Sequence, residues 1–141
     1  MKYDKLELIK AERKGGGGRS RRYHYDYSIN GRVLSAQVSI GDNVGVFGWL
    51  DPKWETYFFK QLMLKERSEL PSGRIPIYIC PECGDLGCGC VSVKIEKFDD
   101  CFVWSELGYE NNYEDGIIEV YKMRGVLFNK TEYYAALKDF A

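Results

Sequence analysis

Four cysteines, Cys80, Cys83, Cys88 and Cys90, crowd into the run ICPECGDLGCGCVSV. Their spacing, C-x2-C-x4-C-x-C, admits three kinds of chemistry. Cys80-Pro81-Glu82-Cys83-Gly84 has the form of a zinc knuckle, in which two thiolates face one ion while nearby N–H groups hydrogen-bond to the sulfurs. Gly84 permits the tight backbone that follows. Cys88 and Cys90 are two apart on an expected strand and so face one side. Closing the hairpin would bring all four sulfurs to about 2.3 Å from one Zn²⁺. Zinc ribbons, however, separate their cysteine pairs by roughly 15 residues or more, and only four residues lie between Cys83 and Cys88. The same cysteines can therefore serve as small buried hydrophobes in a tight turn. A redox pair at Cys80 and Cys83 is the third reading, with no following helix to depress a thiol pKa.

The remaining inventory favours binding over catalysis. The one histidine, His24, lies on a tyrosine-rich segment and is expected at a strand surface. Neither GxSxG nor HExxH occurs, and no GxGxxG follows a strand. The run GGGGRSRR lacks the Walker pattern and reads as a flexible loop. No pair of carboxylates is singled out by spacing, so no catalytic residue is assigned and a non-enzyme is expected.

Charge is unevenly placed. Residues 1–22 hold eight Lys/Arg and three Asp/Glu, whereas residues 96–119 hold eight Asp/Glu and one lysine. An overall net charge of -1 argues against nucleic acid as the main partner. Within the acidic segment, Glu106, Tyr109, Glu110, Asn111, Tyr113, Glu114 and Asp115 interleave carboxylates, amides and aromatics in what reads as a loop. They are the candidate partner-binding residues, because carboxylates steer a basic partner and tyrosines anchor it. The plainer reading is a solvated face.

These residues need elements to hold them. The chain has 141 residues, 45% of them apolar and 15% aromatic, which suits one domain with one core. A first strand is expected over residues 3–12. RYHYDYSI leads into Asn30-Gly31, the favoured two-residue hairpin turn, with a return strand from Val33 to Ile40. DPKWETYFFKQLMLKER predicts a helix over 52–68, with Asp51 as N-cap and Pro52 at its first position. Two strands flank the cysteine turn, and a third, CFVWSEL, follows a turn at Asp99-Asp100. Asn129 and Glu132 have capping-box spacing before a short terminal helix. The expected fold is a single α+β domain over 1–141, with antiparallel hairpins packed on one central helix. The N-terminal residues lack an apolar signal region and no apolar run reaches the roughly 20 residues of a membrane helix, so a cytoplasmic protein is expected.

The segments GWLDPKWE, CPECGDLGCG and LGYENNYE resemble a family of small, mostly uncharacterised bacterial proteins, some loosely labelled oxidoreductase. The resemblance covers about residues 45–140 and is most specific at Cys80 to Asp85, Cys88-Gly89 and Leu107 to Asn111. In that family the position of Cys90 is often a small residue such as alanine, so a four-cysteine site is not implied as a family property. Small solitary proteins of this type also serve as immunity proteins of contact-dependent growth inhibition and related toxin systems. The resemblance thus implies a protein that binds and neutralises a cognate, basic toxin domain. The alternative is a zinc-stabilised or thiol-based redox enzyme using the hairpin from Cys80 to Cys90.

Overall fold

In the computed structural model the described residues are 2–114, 116 and 119–141. Strands β1 (Leu6–Arg13) and β2 (Arg22–Ile29) pair antiparallel, with Arg13 opposite Arg22, so the glycine run forms the loop between them. Asn30 and Gly31 both have positive φ, as the expected hairpin turn requires.

The return strand differs from expectation. β3 is only Arg32–Val33, and a single helical turn, α1 (Leu34–Gln37), follows. The reason lies in Asp26, which is buried on β2. Its carboxylate accepts hydrogen bonds from the Ser35 hydroxyl, the Tyr78 hydroxyl and the Tyr27 N–H. A buried carboxylate must be paired or hydrogen-bonded, and α1 delivers Ser35 to it while turning Leu34 into the core. His24 likewise lies inside rather than on the surface. Its Nδ1 accepts the Gly45 N–H at 3.0 Å, and burial lowers its pKa, which keeps the ring neutral. Gly45 has to be glycine here, because a Cβ would collide with the Tyr25 carbonyl.

The larger sheet has six strands: β4 (Val44–Gly45), β5 (Ile75–Ile79), β6 (Cys90–Lys97), β7 (Cys101–Glu110), β8 (Glu119–Val120) and β9 (Val126–Asn129). β4 to β7 are neighbours in sequence order, and β8 and β9 both pair along β7. The buried β5 reads as a continuous apolar run, and the rings of Tyr27, Tyr78 and Trp104 meet edge-to-face between the two sheets. The architecture is α+β, as the sequence predicts.

Helix α2 (Pro52–Leu62) is shorter than the predicted span. Leu64, at φ 57°, takes a left-handed conformation and ends it. Asp51 stands at the N-cap, but its carboxylate makes no capping bond; its carbonyl accepts from Trp54 and Glu55 N–H at 2.9 and 3.2 Å. Helix α3 (Lys130–Leu137) starts as predicted, with the Asn129 side chain accepting the N–H groups of Thr131 and Glu132. Tyr133 of α3 stacks on Phe102 and donates to the Leu62 carbonyl at 2.8 Å, which ties both helices to β7. No helix among the described residues is long and apolar enough to cross a membrane.

Candidate functional site: a thiol cluster beside an acidic loop

The cysteine segment leaves the core at the end of β5. The Gly84 N–H closes the first turn on the Cys80 carbonyl at 2.9 Å. Asp85 caps a short 3-10 turn (Leu86–Cys88) by accepting the Gly87 N–H at 2.8 Å, and the Asp85 N–H points at Cys83 Sγ at 3.4 Å. This is the N–H-to-sulfur bonding expected of a knuckle. Gly89 (φ 94°) then redirects the chain into β6.

The first sheet braces this turn from the side. Arg22 Nε donates to the Pro81 carbonyl at 2.7 Å, and Arg13 pairs with Glu82 at 2.6 Å. Hydrogen bonds from Ser20, with a further one from Arg13, hold the Glu82 carboxyl down to about 2. Arg13 and Arg19 also pair with Asp42, and Arg21 with Glu12. Much of the basic N-terminal charge is therefore committed to internal contacts.

Three sulfurs come together. The Sγ atoms of Cys80, Cys83 and Cys88 all lie within 4.8 Å of one another, and Cys83 and Cys88 are 3.3 Å apart. Thiolates at about 2.3 Å from a tetrahedral zinc are separated by roughly 3.8 Å, so the trio is close enough to bind a metal. Burial opposes the Cys80 thiolate, but the N–H groups of Cys83 and Glu82 and the neighbouring thiols outweigh it and lower its pKa. The hydrogen bond to Cys83 and that residue's charge push Cys88 up to about 11. Cys83 and Cys88 are in direct sulfur–sulfur contact, and Cys80 lies within 4.8 Å of both.

Cys90 does not join them. It is fully buried on β6, where burial and the nearby Glu110 charge push its thiol up to about 12. The alternation argument fails because Gly89 lies outside the strand, so Cys88 and Cys90 do not share one extended segment. The predicted four-sulfur site is corrected to three.

The acidic segment divides. β7 runs through Glu110, and the expected loop starts only after it. Glu110 is buried and pairs with Arg74 at 3.2 Å, with Ser72 and Ser92 hydroxyls completing its bonds. It is a core ion pair, not a partner contact. Asn111 is also buried, and its side-chain oxygen accepts the N–H groups of Tyr113 and Glu114 at 3.1 and 2.8 Å while its amide donates to Glu114. Tyr113, 70% exposed, is thus carried on a loop fixed from below. Glu106 is exposed at a positive-φ irregularity of β7 and pairs with Lys94. Tyr109 is half-buried and donates to the Cys88 carbonyl at 3.3 Å, which joins the acidic strand to the cysteine turn. Asp115 lies outside the described residues.

A cleft of about 280 Å³ lies between α2 and the cysteine turn, with Trp54, Tyr57 and Gln61 on one side and Cys83 and Asp85 on the other. Gln61, three residues from Phe58, falls on the buried face of α2 with Phe58 and Leu62, a polar residue that apolar periodicity does not flag.

No protein-family model, no curated protein and no solved structure matches this chain.

Proposed function

We propose that this chain is an immunity-type protein that binds and neutralises a basic protein toxin domain. The observation that carries the reading is the loop after β7: buried Asn111 fixes its backbone and leaves Tyr113 and Glu114 facing outward. A preordered loop loses little conformational entropy when a partner docks, so an exposed tyrosine on it is an efficient anchor. Glu114 and Glu106 would supply the steering charge.

The test is protection of a host expressing a basic toxin domain drawn from a neighbouring gene, with binding measured in parallel. Tyr113→Ala combined with Glu114→Lys is expected to weaken binding by about 30-fold while shifting stability by about 0.5 kcal/mol or less. Undiminished binding by this double variant, or absence of protection by the unaltered chain, rejects the reading.

The sulfur trio supports a second component. Zinc held by Cys80, Cys83 and Cys88 would cross-link the turn, and its fourth ligand would come from solvent or the partner. Metal analysis of protein purified without a histidine tag is expected to give near one zinc per chain, and chelation is expected to lower the Tm. Metal-free protein with unchanged Tm would leave the turn held by its hydrogen bonds, the Arg13–Glu82 pair and the burial of Leu86.

A further inference from the structure

Gln61 is 1% exposed, and its Oε1 accepts no hydrogen bond from the described residues. A buried polar atom without a partner costs about 1–3 kcal/mol, so a native site that keeps one calls for an explanation. Gln61 lines the cleft between α2 and the cysteine turn. The charged groups on that wall are the carboxylates of Glu69 and Asp85, beside the Trp54 indole, the Tyr57 hydroxyl and the Cys83 thiol. One Asp85 oxygen already takes the Gly87 N–H, and a carboxylate has room for more. No lysine or arginine is among the described lining residues. Trp54 and Tyr57 supply aromatic faces, their centroids 6.0 Å apart. Partial burial, with the charges of Glu69 and Glu66, pushes the Tyr57 pKa up, as a negative local field would.

We propose that this cleft receives an arginine side chain of the protein partner. It rests on the reading above that the partner is a basic protein domain. Three observations choose this occupant. First, the charged groups on the wall are two carboxylates, Glu69 and Asp85, and guanidinium brings a positive charge and only donors. Second, its planar fork stacks on aromatic faces while reaching several acceptors at once, which an ammonium does less well. The exposed Lys53 ammonium, 5.5 Å from the Trp54 centroid, shows that this ring already attracts a cation and leaves the cleft itself unfilled. Third, the volume of about 280 Å³ lies at or below the roughly 300–1,000 Å³ of small-molecule sites and suits one side chain. In the complex the guanidinium pairs with Glu69 and Asp85 and lies against Trp54, and a turn of the buried Gln61 side chain brings its Oε1 to the same ion.

The test titrates Nα-acetyl-arginine amide into the ¹⁵N-labelled full chain and follows the Trp54 indole and Gln61 side-chain signals. The neutral citrulline counterpart is the control. Saturable shifts with the arginine probe and none with citrulline are expected. Gln61→Leu and the exposed-site variant Glu69→Gln are each expected to weaken the probe about tenfold. Equal shifts with citrulline, no saturation with arginine, or unchanged affinity in the folded Glu69→Gln variant overturn the assignment. The two readings fail separately. Arginine-probe binding without toxin protection removes the immunity reading and leaves the cleft. Toxin protection without probe binding does the reverse.

Discussion

Cys88 and Cys90 are two positions apart and sit in different media. Cys88 is exposed within reach of two other thiols, whereas Cys90 is sealed among core residues and stays protonated, its thiol pushed up to about 12 by burial and by the Glu110 charge. Substitution separates the roles. Cys90→Ala is expected to cost about 1–2 kcal/mol through a small cavity and to leave metal uptake intact. Cys88→Ala is expected to lose most bound zinc with little change in the stability of the metal-free protein. Denaturant titration with and without chelator, beside metal analysis, distinguishes the two. Equal metal loss in both variants would return Cys90 to the ligand set.

At the level of elements, the cysteine turn depends on how β7 approaches it. Gly89 has φ 94°, and a Cβ there would overlap the Tyr109 hydroxyl and ring. Gly89→Ala therefore combines left-handed backbone strain with a collision, at an expected cost of about 2–4 kcal/mol. It also displaces the Tyr109 hydroxyl from the Cys88 carbonyl. A lowered denaturation midpoint together with weakened metal binding is the expected outcome; an unchanged midpoint would mean that Tyr109 swings aside freely. This contact couples the two candidate sites, since Tyr109 precedes the buried Glu110 and Asn111 that support the partner loop.

Across the whole molecule, Asp4 fastens the N-terminal segment to the larger sheet. Asp4 accepts from Arg124 at 2.8 Å, from the Leu127 N–H at 2.9 Å and from Asn30 at 2.7 Å, while its own N–H donates to the Leu127 carbonyl. The Arg124 hydrogen bond, with those of Leu127 and Asn30, outweighs desolvation and holds the carboxyl well below the usual carboxylate range. A carboxyl depressed in the folded state adds stability that is present above its unfolded pKa of about 4 and is lost as pH falls below it. Asp4→Asn is expected to lower stability by about 1–2 kcal/mol at pH 7 and to flatten the loss between about pH 4 and pH 2. Unfolding curves measured across that range check it; parallel pH profiles for both proteins would assign the acid sensitivity elsewhere.

Much of this fold follows from local rules. The Asn30-Gly31 turn, the strands flanking the cysteines and the Asn129 cap depend on positive φ, alternation and side-chain-to-backbone bonds, all set by residues close in sequence. The knuckle at Cys80 and Cys83 was legible for the same reason. What needed tertiary structure was the environment of each polar group. Glu110 and Glu114 look alike in the sequence, and only the position of Arg74, brought beside Glu110 by strand pairing, makes the first a buried ion pair while the second stays exposed. His24 and Asp26 appear to face outward by alternation until Gly45, Ser35 and Tyr78 close over them. Gln61 differs from any other helical glutamine only through the turn packed across from it. Desolvation and pairing are sums over neighbours distant in sequence, so the chain itself determined which groups could do chemistry, and the packing decided which are free to do it.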